Sequence, residues 1–531
     1  MSEHVSLPPG YPAQTGFYFL PDGRPVPIRQ GSRYTVDAVD AAFSLVTLIL
    51  GFLAWNWIWP RFWASNVYFP GISVTLYFGL ALGCSLTYFK IRKVVLSKGA
   101  IGGAMAILSA ALPFAIYNTT PVHFFAGLAL CIGYVTWHAA AAGTAISSRL
   151  DGMTGADVLN QAIVVPWLNA GSWFSAARQM IRERRKSTQL AFAIIGAVVA
   201  LPVIVAVLVL LTHADANFNS WTSRLIQSLV SINLWHFTWQ FVLGAPIAFY
   251  MLALLYGNAH KRRVDVVTCE GVTRWGATIR RIPVAAVASP MAILCLMYLA
   301  FFAAMGSYLL SAMWHKLPSQ FTYAEYARRG FFELAAVATI NLAIIGFAYW
   351  FAGRGERGFP TSLRILGGTM CGLTLLLIVT DISKMVLYID QFGLTRLRLY
   401  TLWFMVVMFI AFALIGARHI KRFNVGAPVV LVTVLAFFVL MWANTDGLIA
   451  RYDVNRVLNG SSSSVDVDYL TNSIGGAAVP ALTRLADEAT DPTVRVEATH
   501  ALASLRKDAG VKVPWTSWTW QSFRADQLLG R

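Results

Sequence analysis

An acid, a base and a phenol share one helical face inside an otherwise apolar run, LLLIVTDISKMVLYIDQFGLTRLRLYT. Asp381, Lys384 and Tyr388 are spaced i, i+3 and i+7, so a helix stacks them on one side. A charge in hydrocarbon is expensive, and this face is expected to look into a helix bundle or a wet cavity. Neighbouring segments offer partners at the same depth. FTYAEYARRGFFEL brings Arg328, Arg329 and Glu333, and the end of the run brings Asp390, Arg396 and Arg398. These types can carry ions or protons. Asp381, Asp390 or Glu333 is also the only kind of general base on offer, and Arg396 and Arg398 suit a phosphate. A structural reading stands beside these: Asp381 and Lys384 neutralise one another as a buried pair that fixes helix packing.

Other chemistry has little to stand on. There is no HExxH, GxSxG or Walker A motif, nor a Gly-Asp pair of the intramembrane aspartyl protease kind. His123, His138, His236 and His260 are dispersed. The five cysteines form no CxxC and read as small core fillers, so no cofactor or metal is expected.

The elements that must position the cluster are membrane spans. The 531 residues are 57% hydrophobic and only 13% charged, about half the usual charged share. Eleven apolar windows have spanning length: 38–59, 68–88, 100–118, 121–143, 189–212, 236–257, 285–312, 331–352, 365–388, 398–417 and 426–444. The expected fold is all-α, a polytopic helical membrane protein. The N-terminal segment 1–37 is polar and Pro-rich with no apolar core, so the first span is expected to act as its own insertion signal. The net charge of +17 reports orientation rather than nucleic-acid binding. With the N-terminus in the cytoplasm, inside segments hold 25 Lys and Arg, against 7 in the outside loops, counting Arg398 at the edge of the tenth span. An odd span count then puts the C-terminus outside. The runs ARQMIRERRKS and GNAHKRR suit anionic lipid headgroups.

The organisation expected is a four-span group at 38–143, a cytoplasmic linker at 144–188, a seven-span core at 189–444, a tether at 445–474 and a helical cap with an aromatic tail at 475–531. In the linker, Trp167, Trp173 and Phe174 beside arginines describe an interfacial helix. NSWTSRLIQSLVSIN is a second candidate, interfacial or re-entrant. NGSSSS marks the tether. Beyond it, VPALTRLA…DPTVRVEATHALASL resembles one HEAT repeat, which cannot bury its own faces. It must pack on the membrane domain, on the tail WTSWTWQSF, or on another protein.

FTYAEYARRGFFELAAVATIN, YIDQFGLTRLRLYTLWF and ARYDVNRVLNG…VDVDYLTNSIGGAAVPAL resemble the bacterial membrane families catalogued as domain of unknown function 4173 and 4153. The resemblance covers roughly 320–531, with the closing WTSWTWQSFRA. It implies a bacterial plasma-membrane protein with an extracytoplasmic tail, and carries no reaction or site residues. Three functions remain open: a transport or export component, an envelope sensor or assembly scaffold docking a protein partner at 475–531, and an intramembrane transferase acting on lipid-linked substrate.

Overall fold

A backbone in hydrocarbon must satisfy its own N–H and C=O groups, and a helix does so within one segment. The computed structural model describes residues 17–19, 25–27, 34–59, 69–147, 153–183, 234–279, 282–310, 331–353, 359–421, 423–508 and 514–530. These are helical throughout, apart from connections and a two-stranded antiparallel hairpin pairing Phe17–Phe19 with Pro25–Pro27.

The long helices are α1 (Ala38–Trp57), α2 (Ile72–Ile91), α3 (Lys98–Ile116), α4 (Thr120–Ala142), α5 (Leu234–Ala259), α6 (Val284–Leu310), α7 (Phe331–Phe351), α8 (Thr361–Phe392) and α9 (Arg396–Ile420). Among the described residues these nine are long and apolar enough to cross a membrane. A tenth crossing is counted if α10 (Gly426–Trp442) and α11 (Thr445–Leu458) form one span bent by 65°. The chain is therefore a multi-span helical membrane protein. Of the eleven expected spans, 189–212 lies outside the described residues, as does the 219–233 segment. Side chains set several helix starts. Asp37 accepts from Val39 N and Asp40 N at 3.0 and 3.1 Å, while Asp40 accepts from Asp37 N at 3.3 Å. Ser97 caps α3, and Thr395 caps α9.

Two cores form. Helices α1 to α5 share one, in which α1 and α5 cross at two glycines. A Cβ on Gly51 would lie 2.3 Å from the Gly244 carbonyl oxygen, so only glycine permits the approach. Helices α6 to α9 share the other core with the post-membrane helices. Helix α10 bridges them: Leu440 and Met441 enter the first core, and Trp403 of α9 donates to Ala436 O at 3.2 Å. Across the end of the bundle that carries Arg92 and Arg262 run the short helices of 154–169 and Gly171–Glu183. There Trp173 packs against Phe249, the rings tilted with centroids 4.5 Å apart, and donates to Ser44 O, which ties this segment to α1 and α5.

The opposite end carries a cap. The expected tether at 445–474 is mostly helix, and this corrects the composition-based reading. Asn444 takes a left-handed conformation (φ 43°), turns the chain, and caps α11 by accepting from Gly447 N. Ile449, Ala450 and Val454 of α11 and Leu470 and Ile474 beyond it are buried. They pack on the apolar faces of α12 (Val479–Glu488) and α13 (Pro492–Asp508), in one core with α8 and α9. The serine run that suggested a tether covers only the short connection after Leu458. The tail ends in α14 (Trp520–Leu528). Trp515 packs edge-on to Trp57 at 5.2 Å, and the carbonyls of Thr516 and Trp518 accept from Gly71 N and Ile72 N at 2.9 and 3.0 Å.

Candidate functional site

Helix α8 is 32 residues long, about 48 Å at ~1.5 Å per residue, well beyond the ~30 Å hydrocarbon core. Asp381 lies about 16 Å along its axis from Phe392 at the same rise. Its side chain is fully buried and that of Lys384 is 1% exposed. Neither carboxylate oxygen of Asp381 has a hydrogen-bond partner among the described residues. Among the described residues, the charges that act on it are those of Lys384 and Glu333, the latter exposed near the start of α7.

Two turns deeper on the same face of α8 sits Thr374, also fully buried. Its hydroxyl accepts from Asn341 Nδ2 of α7 at 2.9 Å, and Asn341 Oδ1 accepts from the Tyr298 hydroxyl of α6 at 2.7 Å. A line of hydrogen-bonded polar groups thus joins α6, α7 and α8 through Tyr298, Asn341 and Thr374, and Asp381 and Lys384 lie about 10 Å and more further along α8. Thr374 was visible in the sequence as the residue seven before Asp381. Asn341 was visible as the lone amide in FFELAAVATINLAIIGFAYW.

Towards the cap the remaining expected residues do something different. Arg398 stacks over Tyr388 at 4.1 Å and donates to the carbonyls of Phe392 and Gly393 at 3.0 and 2.7 Å, closing the C-terminus of α8. Arg396 donates Nε and Nη2 to the two oxygens of Asp446 at 2.7 and 2.5 Å, a bidentate pair whose acid is fully buried. Its backbone N–H donates to the Tyr469 hydroxyl at 2.9 Å. Asp453 accepts from Leu394 N at 2.7 Å, and Arg456 donates to the Asp390 carbonyl. A Cβ on Gly393 (φ 79°) would lie 2.6 Å from Asp453 Oδ1, so that turn needs glycine twice over. Burial pushes the Asp453 carboxyl up to about 6, against the Leu394 hydrogen bond and the charges of Arg456 and Arg398.

The nine expected residues therefore fall into separate groups. Asp381 and Lys384 are buried within the bundle, and Glu333 is exposed near the start of α7, where its charge acts on Asp381. Tyr388, Asp390, Arg396 and Arg398 lie at a latch between the α8–α9 turn and the cap. Arg328 and Arg329 lie outside the described residues. The latch partners Asp446, Asp453, Arg456 and Tyr469 carry no signal of their own in the sequence, because acids and arginines are ordinary in a polar stretch.

A further charged cluster stands at the far end of the bundle. Asp40, fully buried, accepts from the Tyr88 hydroxyl at 2.6 Å and pairs with Arg92, with His260 Nε2 at 3.5 Å. Arg92 also binds Asp37 through both terminal nitrogens at 2.6 Å and holds that carboxyl down at about 2. Among the described residues no group of His, Cys, Asp and Glu is placed to hold a metal ion.

A protein-family model, domain of unknown function (DUF4153), matches residues 103–485, more than half of the chain. The chain belongs to the DUF4153 family. No curated protein and no solved structure matches it significantly. The DUF4153 region begins well before 320, where the motifs suggested, and ends within α12. It contains Asp381, Lys384, the polar line and both sides of the latch, while Asp37, Asp40, Tyr88 and Arg92 of the second charged cluster and the aromatic tail lie outside it.

Proposed function

We propose that this DUF4153 protein is a transport- or export-related component of a bacterial plasma membrane, and that Asp381 and Lys384 carry a proton or cation along the α6–α7–α8 interface. The observation that carries this reading is the Asp381 carboxylate: fully buried, with neither oxygen hydrogen-bonded among the described residues. A pair retained only for packing is stabilised when its lone pairs are met, because an unmet buried charge is strongly destabilising. A carboxylate that takes up and releases a proton or cation instead needs open lone pairs. The aligned groups Thr374, Asn341 and Tyr298 supply steps further into the membrane. The orientation proposed with it puts the N-terminus and basic loops in the cytoplasm and the cap outside, as the distribution of Lys and Arg favours.

The test is ion flux. Purified protein in liposomes that enclose a pH-sensitive dye is challenged with a potassium diffusion potential. Internal acidification is expected, slowed at least roughly tenfold by Asp381→Asn. Wild-type liposomes no leakier than empty ones, or a variant as active as wild type, would remove the proposal. A second reading, an envelope scaffold, is favoured by one feature. The cap carries a groove of about 620 Å³ between 465–472 and α13, lined by Asp466, Asp468, Glu497 and His500. Cross-linking from Glu497 to one reproducible envelope protein would support it, and self-links alone would not.

A further inference from the structure

At the end of the bundle opposite the cap, a slot of about 690 Å³ lies between the start of α8 and the end of α9. Its floor is made of small residues: Gly368 and Gly372 from α8, and Ala413, Gly416 and Ala417 from α9. A Cβ on Gly372 would meet nothing within 4 Å, so the space beside it is open. Ile365 and Ile420 on its rim are 64% and 85% exposed, which is how residues that face lipid look in such a bundle. From Thr361 to Leu375 the slot follows α8 for about 21 Å at ~1.5 Å per residue.

The head of the slot is polar. Thr361 begins α8, whose N-cap, Pro360, makes no side-chain capping bond. The first-turn N–H groups and the positive end of the helix dipole thus face this end. Arg364 is held there by donating Nη2 to His419 O at 2.9 Å. His419, 9% exposed, lines the head with both ring nitrogens buried and without a hydrogen-bond partner among the described residues. A buried imidazole left so is unfavourable unless a ligand meets it.

We propose that this slot binds one anionic phospholipid, with an acyl chain along the glycine floor and the phosphate at Arg364, His419 and the α8 N-terminus. An apolar channel opening sideways to the membrane, with a cation only at its polar end, matches a lipid in both shape and charge. A soluble anion would use the head and leave the channel unfilled.

Native mass spectrometry of the full chain in mild detergent decides this, with phosphatidylglycerol and phosphatidylethanolamine as probes. One phosphatidylglycerol is expected to stay bound where phosphatidylethanolamine is lost. Arg364→Gln should reduce the preference roughly fivefold, the effect of one basic contact. Gly372→Leu should expel the chain from the slot and reduce retention of both lipids. Leucine favours helix more than glycine and has room here, so the fold should survive. Ala413→Leu fills the same slot from α9 and serves if Gly372→Leu does not fold. Equal retention of the two lipids, or retention unchanged by a folded slot-filling variant, overturns the proposal. So does displacement of phosphatidylglycerol by excess inorganic phosphate, which would make the head a free-phosphate site.

Discussion

At the residue scale, the Asp381–Lys384 pair separates packing from relay by a double substitution. Asp381→Asn or Lys384→Met alone removes one of two buried groups whose charges act on each other, and should destabilise the fold by up to about 3–5 kcal/mol, the cost of breaking a buried pair. Thermal unfolding should show both singles destabilised and the Asp381→Asn/Lys384→Met double variant largely restored. A relay requires the restored protein to stay inactive in the flux assay; recovery of flux with stability would leave a structural pair. Asp453 tests a different balance. Its pKa in the fold, about 6, is raised above the ordinary 3.8. The protonated form is therefore the one the fold favours. The stabilisation it brings is complete below about pH 4 and is lost as pH rises through 6. Asp453→Asn keeps an acceptor for Leu394 N and removes the titration. It should strengthen the cap at pH 8 by on the order of 1–2 kcal/mol after solvent screening, with little effect at pH 4. Limited proteolysis of the connection after Leu458 at the two pH values reads the difference. Asp381 and Lys384 were legible in the sequence because a charge inside an apolar run has few explanations. Asp446 and Asp453 were not, since an acid in a polar stretch is ordinary until its buried partner is known.

At the element scale, spans were legible wherever some twenty apolar residues follow one another, and ten of the eleven windows coincide with described helices. Which helix touches which was not legible, because lipid-facing and protein-facing surfaces are equally apolar and no periodicity distinguishes them. The α1–α5 crossing shows what decides it: two glycines in contact, Gly51 and Gly244, far apart in the chain. Gly51→Leu should force these helices apart and unfold the first core at markedly lower temperature. The same change at Gly79, where an added Cβ meets nothing within 4 Å, should be tolerated. If thermal unfolding finds the two variants alike, the crossing is not as close as described. The latch is tested by Asp446→Ala, which strips Arg396 of its bidentate partner. A loss of about 2–4 kcal/mol in cap stability is expected by hydrogen exchange across 445–458, because the acid is fully buried.

At the scale of the whole molecule, the cap is joined to the bundle in two places: the latch at the α8–α9 turn, and the tail at the cap-side ends of α1, α2 and α3. The second joint is the more easily cut. Besides the Thr516 and Trp518 carbonyls on Gly71 and Ile72, Gln521 accepts from Asn118 N at 2.8 Å and donates to Asn444 at 3.1 Å. Ala525 packs beside Gly476. The tail therefore ties the first core to a cap whose other contacts are with the second. Truncation after Gly510 should leave insertion into the membrane intact, since every spanning helix precedes it, but raise protease sensitivity across 475–506. Gly71→Ala is the finer tool, because its Cβ would lie 2.4 Å from the Trp518 carbonyl oxygen and must displace the tail without removing it. Both changes should loosen the tail side of the cap while the latch still holds α11. Protection unchanged in both would mean that α11 and the latch alone hold the cap, and that the aromatic tail is not part of what covers it.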